Sequence, residues 1–405
     1  MNDPSRVFVS GPFAAFREGF SNSLLTLGYT PDSAANQLQL MAHLSRWLAG
    51  EGLDVHTFRQ NDLERFFQFR RHAGYTHCVS LKAMLPMLAY LRAEGVALSA
   101  PSVVSCGPID LAIDQYRDYL VHERGLAQLT IHNYINAVRL FLVSEFSRNG
   151  DRINWESLNA ARVTAFIVAR TPTQSRSLAS TTVTALRSFL GYLYTEGLIK
   201  QQLTAAVPTV AGWRLAALPK TLQPREVKAL LEACDRRTRM GRRDFAVLTI
   251  LVRLGLRASE VAGLRLDDID WRAGSILIRG KGNQIEPLPL PQDVGVALVA
   301  YLRRGRPMTA ADRSVFVRIR APHRALSGAG VSGVVVAAAR RAGLGDIRAH
   351  LLRHTVASQL LRAGSPLPEI GQLLRHRHIS TTAVYVKVDR DALRKIARPW
   401  PGGAA

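Results

Sequence analysis

GSILIRGKGNQIEPLPLP (274–291) stands out in a chain whose text is otherwise helical. Ile276 and Ile278 alternate with Leu277 and Arg279, the period-two pattern of a strand with one buried face. Gly-Lys-Gly-Asn (280–283) is turn text, and Ile285–Leu290 supplies a second strand, so the stretch predicts a β-hairpin. On both sides the period changes to three and four residues. PREVKALLEAC and the apolar run Phe245–Leu254 predict helices before the hairpin. Gln292–Leu302, Val331–Ala342, His350–Arg362, Leu367–Leu374 and Thr381–Val388 predict helices after it. Residues 216–405 therefore read as an α+β domain with a small antiparallel sheet.

The preceding residues read as all-helical. Apolar residues recur at helical spacing in Leu38–Leu48, Ile109–Tyr119, Tyr134–Phe146 and Thr182–Tyr194. Pro/Gly/Ala-rich joints near Ala97–Pro108 and Val207–Pro219 divide the chain into blocks 1–105, 106–215 and 216–405. The first two resemble each other. GYTPDSAANQLQLMAHLSRWL, from Gly28, aligns with GLAQLTIHNYINAVRLFLVSE, from Gly125. MLPMLAYLRAEGVA (84–97) aligns with LRSFLGYLYTEGLI (186–199), matching Tyr90, Leu91, Glu94 and Gly95 to Tyr192, Leu193, Glu196 and Gly197. We read two copies of one small helical domain. The expected class is mainly α and multidomain, and 405 residues fit two to four domains at roughly 100–200 residues each.

Charge narrows the partner. The net charge is +22, and residues 216–405 carry +18 of it against +1 and +3 for the two preceding blocks. The 46 arginines and seven lysines reflect a compositional preference for Arg, which does not explain the regional imbalance. A polyanion-binding surface is expected in the last block, with nucleic acid the first partner to consider. Cys78, Cys106 and Cys234 are too few and scattered for a disulfide framework or a cysteine zinc site, which fits a reducing cytoplasm. MNDPSRVFVSGPFAAF has no apolar core of signal-peptide length, and no run reaches the ~20 apolar residues of a membrane span.

Reactive groups fall in five short pieces of the last block: Arg257 in LGLRASEV, Lys281 between two glycines at the hairpin tip, His350 and Arg353 one turn apart in HLLRH, His376 in LLRHRHIS, and Tyr385 in TTAVYVKV. Each has an ordinary reading by itself. Arg257 is one of 46 arginines, Lys281 is a common kind of hairpin tip, and Tyr385 could be a packing tyrosine. His350 and His354 have the i, i+4 spacing of a zinc pair, but Leu351 replaces the glutamate of H-E-x-x-H and no third ligand is evident. The hairpin lacks the spacing of an ATP-binding phosphate loop.

In this order, the five pieces resemble the tyrosine recombinase (phage integrase) family. LGLRASEVAGL, GKGN, HLLRHTVASQLLRAG and IGQLLRHRHISTTAVYVKV match its catalytic domain, and 109–200 is similar to its helical core-binding domain. The resemblance implies a DNA strand-exchange enzyme with catalytic residues Arg257, Lys281, His350, Arg353, His376 and the nucleophile Tyr385. Glu260 resembles the acidic residue that orients the first arginine, and a surface i, i+3 pair is the equally weighted alternative. It further implies double-stranded DNA with specific sites as partner, a homotetramer, a Holliday junction, and neither cofactor nor metal.

The chemistry agrees. Phosphodiester cleavage through a phosphorane places extra negative charge on the non-bridging oxygens, which paired guanidiniums can grip in bidentate fashion. Asp267, Asp268 and Asp270 sit in one short turn without distant carboxylate partners, unlike the ligands of a two-metal nuclease. A type IB topoisomerase and a catalytically idle DNA-binding regulator are the competing readings. The nearly neutral block 1–105 departs from the small basic arm-binding domains of some integrases; it is expected to extend the DNA clamp or to contact other protomers.

Overall fold

The computed structural model describes residues 3–96, 107–146, 153–210, 220–280, 284–375 and 382. It divides into two compact units: one comprises Arg59–Asn61 and Ser99–Arg214, the other Met1–Phe58, Asp62–Leu98 and Leu215–Ala405.

In the smaller unit, α5 (Pro108–Asp118), α6 (Gln128–Phe146), α7 (Ala160–Arg170) and α8 (Arg176–Thr195) enclose a core that includes Ile113, Phe141, Leu186 and Phe189; the N-terminal residues supply α1 (Arg17–Thr26), α2 (Pro31–Gly50), α3 (Gln60–His72) and α4 (Leu81–Ala93). These last four helices have their own core, with Leu24, Leu38, Leu44, Phe66 and Leu91. Every sequence-predicted helix in these residues is present. Val207, where composition suggested that a joint starts, is 1% exposed and belongs to the smaller unit's core. Apolar burial anchors that segment where composition alone suggested a linker.

The two Y-L-x-x-E-G segments end their helices by one hydrogen-bond pattern. The N–H groups of Glu94, Gly95 and Val96 donate to the carbonyls of Tyr90, Arg92 and Leu91; those of Glu196, Gly197 and Leu198 donate to Tyr192, Tyr194 and Leu193. Gly95 and Gly197 both adopt left-handed backbone, with φ of +75° and +68°.

The remaining residues build α9 (Pro224–Glu232), α10 (Arg239–Leu254) and α11 (Ala258–Ala262), then a three-stranded sheet, then α12 (Gln292–Arg304), α13 (Gly328–Arg341), α14 (Ala349–Arg362) and α15 (Leu367–Leu373). The sheet is antiparallel in the order β1 (Ile269–Asp270), β2 (Ser275–Arg279), β3 (Ile285–Pro289). Ile276 pairs with Leu288 and Ile278 with Glu286; Ile276, Ile278 and Leu288 are buried while Leu277 faces out, as the alternation predicts. β1 was not foreseen, because two residues carry no readable period. The predicted helix Thr381–Val388 lies outside the described residues except for Thr382, which is buried.

Helix α10 is the central rod of this core. Its residues Ala246, Val247, Leu248, Ile250 and Leu251 are fully buried, and it packs against α12, α13 and α14. Thr238 caps its start by accepting from Gly241 N–H at 2.9 Å. Gly255 stops it in left-handed backbone, φ +59°. A Cβ on Gly255 would also lie 2.8 Å from Leu374 Cδ2 and 3.4 Å from Val356 Cγ1, so glycine is required for both conformation and space.

Gly255→Ala should therefore destabilise the protein by about 1–3 kcal/mol, from left-handed strain plus overpacking. Urea denaturation measures it, and a midpoint equal to wild type would show that this turn is not constrained.

Candidate active site

The left-handed turn at Gly255 leads directly into the first candidate residue. Arg257 is the N-cap of the short helix α11, and Glu260 sits at its third position. Glu260 Oε2 accepts the Arg257 backbone N–H at 2.8 Å, while Oε1 accepts Arg257 Nη1 at 2.6 Å. One carboxylate thus fixes both the backbone and the guanidinium of the same residue. The surface-pair alternative for Glu260 does not hold, because the residue is only 4% exposed. Burial pushes its carboxyl pKa up, but the Arg257 N–H, the Arg375 charge and the Arg257 side chain outweigh burial and hold it below its ordinary value.

Arg375 was not anticipated. Its Nη2 donates to Glu260 Oε2 at 2.6 Å, and its side chain is 5% exposed. Its φ of +51° lies where L side chains cost about 1–3 kcal/mol, a strain that persists only when the surroundings enforce it. A basic residue after Leu373-Leu374 fits a helix C-terminus, which was the available sequence signal. Nothing in the text linked it to a glutamate 115 positions away.

Arg353, on α14, is 2% exposed. Its Nη1 donates to Gly255 O at 2.7 Å and its Nη2 donates to Leu374 O. Arg353 and Arg375 therefore clasp the same two segments, the Gly255–Glu260 turn and the end of α15. Beyond the clasp, Thr382 Oγ1 lies 3.2 Å from where a Cβ on Gly371 would stand, placing that residue against α15.

His350 lies one turn before Arg353 on α14 but opens to solvent. Crowding by surrounding protein lowers its pKa first, followed by the charges of Arg353 and Arg257. It is therefore neutral near pH 7, able to exchange a proton or donate a hydrogen bond. Its ring meets His354 edge-on with centroids 4.3 Å apart. Desolvation, with the charges of His350 and Arg353, lowers the His354 pKa to about 4.

Of the seven sequence candidates, the structure gathers Arg257, Glu260, His350 and Arg353 around this turn. Lys281, His376 and Tyr385 lie outside the described residues, although the two strands flanking Lys281 are in place. The aspartates have structural partners: Asp267 pairs with Arg313, Asp268 with Arg279, and Asp270 accepts from the N–H groups of Arg272 and Ala273. The positive groups differ in access. Arg257's side chain is 38% exposed whereas Arg353 is 2% exposed, so the two guanidiniums expected to grip a phosphate differ in their access to solvent.

An oriented arginine, a buried arginine and a neutral histidine gathered on a helical frame with a small sheet suit a phosphodiester. Comparison with known proteins gives the family. Residues 220–391 match the phage integrase family and residues 113–197 match the phage integrase N-terminal SAM-like domain. A Sinorhizobium fredii protein named as an integrase/recombinase, y4rA, is 40% identical over 400 residues, covering 97% of this chain and 96% of that protein. Tyrosine recombinase XerC of Oceanobacillus iheyensis is 31% identical, covering 71% of this chain and 94% of its own length. Among solved structures, a lambda integrase tetramer bound to a Holliday junction matches in fold with TM-score 0.54 at 15% identity, over 76% of this chain and 86% of that one. The chain belongs to the tyrosine recombinase (phage integrase) family, whose members cleave and rejoin DNA.

The His354 pKa gives a signed prediction. The unfolded chain takes up this proton near pH 6.5 and the folded protein only near pH 4, so stability is full above 6.5 and falls as pH drops toward 4. His354→Gln should lose about 2 kcal/mol less than wild type between pH 7.5 and 4.5, allowing for partial exposure. Urea denaturation at the two pH values tests this, and parallel losses would refute it.

Proposed function

We propose that this protein is a site-specific recombinase that exchanges DNA strands through a covalent 3′-phosphotyrosyl intermediate, in the service of a mobile element. The observation that carries the reading is the convergence of Arg257, His350 and Arg353 on one turn, from positions about a hundred residues apart in sequence, in a chain of this family.

Tyr385 supplies the phenolic oxygen that attacks the scissile phosphorus. The P–O5′ bond breaks as the new P–O(Tyr) bond forms. Lys281 gives its proton to the departing 5′ oxygen. His350, neutral near pH 7, takes the tyrosine proton, and His376 donates a hydrogen bond to a phosphate oxygen. Arg257, held by Glu260, meets the non-bridging oxygens directly. Arg353 adds positive potential from below, where little water dilutes it, and turns an N–H toward the phosphate when DNA is bound. In the reverse step a 5′ hydroxyl from the partner strand attacks the phosphotyrosyl phosphorus and expels the tyrosine. The number of phosphodiesters is unchanged, so religation needs no nucleotide cofactor, and the arginines supply the positive charge that a metal would otherwise bring to the phosphorane.

Assembly follows the same reading: a homotetramer on two specific duplex sites, passing through a Holliday junction and acting on DNA in the cytoplasm. The matching lambda integrase tetramer supports it. We further propose that residues 106–215 form the core-binding domain, 216–405 the catalytic domain, and 1–105 a duplicate of the core-binding domain that extends the DNA clamp. The shared helix-ending pattern supports this last assignment.

A pool of nicked duplexes with randomised sequence tests the reading, since a cleaving enzyme traps itself covalently on its own site. Wild type should yield a denaturant-stable protein–DNA adduct. Tyr385→Phe should yield none, while its affinity for the captured duplex stays within about threefold of wild type, as a lost hydroxyl that acts only in the chemical step requires. A Tyr385→Phe protein that still forms the adduct would assign the nucleophile elsewhere.

A further inference from the structure

We propose that Arg375 is a positioning residue for Arg257, acting through the Glu260 carboxylate that the two arginines share. The proposal rests on the reading of Arg257 as a phosphate-gripping group. Glu260 Oε1 holds Arg257 Nη1 at 2.6 Å, while Oε2 holds both Arg375 Nη2 at 2.6 Å and the Arg257 N–H at 2.8 Å. Arg375 thus pins the carboxylate through the oxygen that the Arg257 guanidinium does not use.

Exposure separates the two roles. The Arg257 side chain is 38% exposed, against 3% for Glu260 and 5% for Arg375. Of these three groups Arg257 alone is open to an arriving phosphate, while the Arg375 guanidinium is already donated to Glu260 and the Leu373 carbonyl. Charge gives the reason for a second arginine. A carboxylate paired with Arg257 alone would cancel the charge that has to attract phosphate. With Arg375 included, the three groups carry a net +1, and Arg257 keeps its pull while remaining oriented.

The backbone supports the assignment. Arg375 occupies left-handed φ of +51°, which glycine would adopt freely. Its Nη1 donates to Leu373 O at 3.2 Å, and the intervening Leu374 carbonyl receives Arg353. The end of α15 is therefore locked to the Arg257 turn by two arginines. Arg375 is the last described residue before His376 in sequence, and its contacts with Glu260 and Leu373 hold the end of α15 in place.

The test measures single-turnover cleavage of the duplex that wild type captures from the randomised nicked pool, together with affinity for that duplex. The variants are Arg375→Gly, which suits the backbone, Arg375→Lys, Glu260→Gln and the double variant Arg375→Gly/Glu260→Gln. Arg375→Gly should slow cleavage at saturation by at least about tenfold while affinity changes less than about threefold, the mark of a misplaced group rather than a lost DNA contact. Arg375→Lys should recover much of that rate. With Glu260→Gln present, Arg375→Gly should cost less than about twofold more, because the pathway between the two arginines is already broken.

A loss confined to affinity would make Arg375 a DNA contact and overturn the proposal. So would an equal loss with and without Glu260→Gln. Should Arg375→Gly be unfolded at the assay temperature by circular dichroism, Arg375→Lys, alone and with Glu260→Gln, decides by the same two measurements. A wild type that binds but never cleaves would remove the parent reading, and the proposal with it; cleavage by wild type with unchanged rates in all Arg375 variants would remove the proposal alone.

Discussion

A single buried carboxylate organises the candidate active site. Glu260 accepts from two guanidiniums and a backbone N–H, and it does so inside the protein. Burying an ionised carboxylate is unfavourable unless charges and hydrogen bonds compensate, and here three donors do so. The arrangement depends on the turn at Gly255 having no side chain, because Leu374 packs where a Cβ would stand. Arg353 closes the other side with its two carbonyl contacts. Helix stop, buried carboxylate and arginine clasps therefore depend on one another, and Arg257 emerges from them oriented and partly exposed.

Much of this frame was legible in the sequence. The hairpin announced itself through alternation and a Gly-Lys-Gly-Asn turn, and the long helices through their apolar spacing. Arg257, His350 and Arg353 were found by order and local motif. Burial was the illegible part. An i, i+3 Arg–Glu pair reads the same on a surface as in a core, so the environment of Glu260 required the packing of α11 against its neighbours. His350 and Arg353 share a helix face by spacing, yet one is exposed and the other buried, because α14 enters the core within that turn. Arg375 was invisible for a different reason: its partner is remote in sequence, and no periodicity encodes a contact across 115 residues.

The surplus length has a coherent place in the family. The Sinorhizobium relative aligns across nearly the whole chain, whereas the Oceanobacillus XerC aligns along nearly all of its own length but only 71% of this one. Part of this chain is thus matched in one relative and not in the other. The separate apolar core of α1–α4 and the repeated helix-ending signature fit a domain gained by duplication, the organisation we propose for residues 1–105. The concentration of net charge in 216–405 makes that block the principal DNA-gripping surface on the reading we propose.

The central claim is that Arg257 acts on the charge of the scissile phosphate. Cleavage of the captured duplex with a neutral methylphosphonate at the scissile position measures this most directly. Arg257→Ala should lose about a hundredfold or more on the natural phosphate, as expected for removal of one oxyanion-stabilising donor. On the methylphosphonate the same variant should approach wild-type rates, because the charge it served is gone. An equal loss on both substrates would contradict the account and assign Arg257 a role in folding or in holding the DNA.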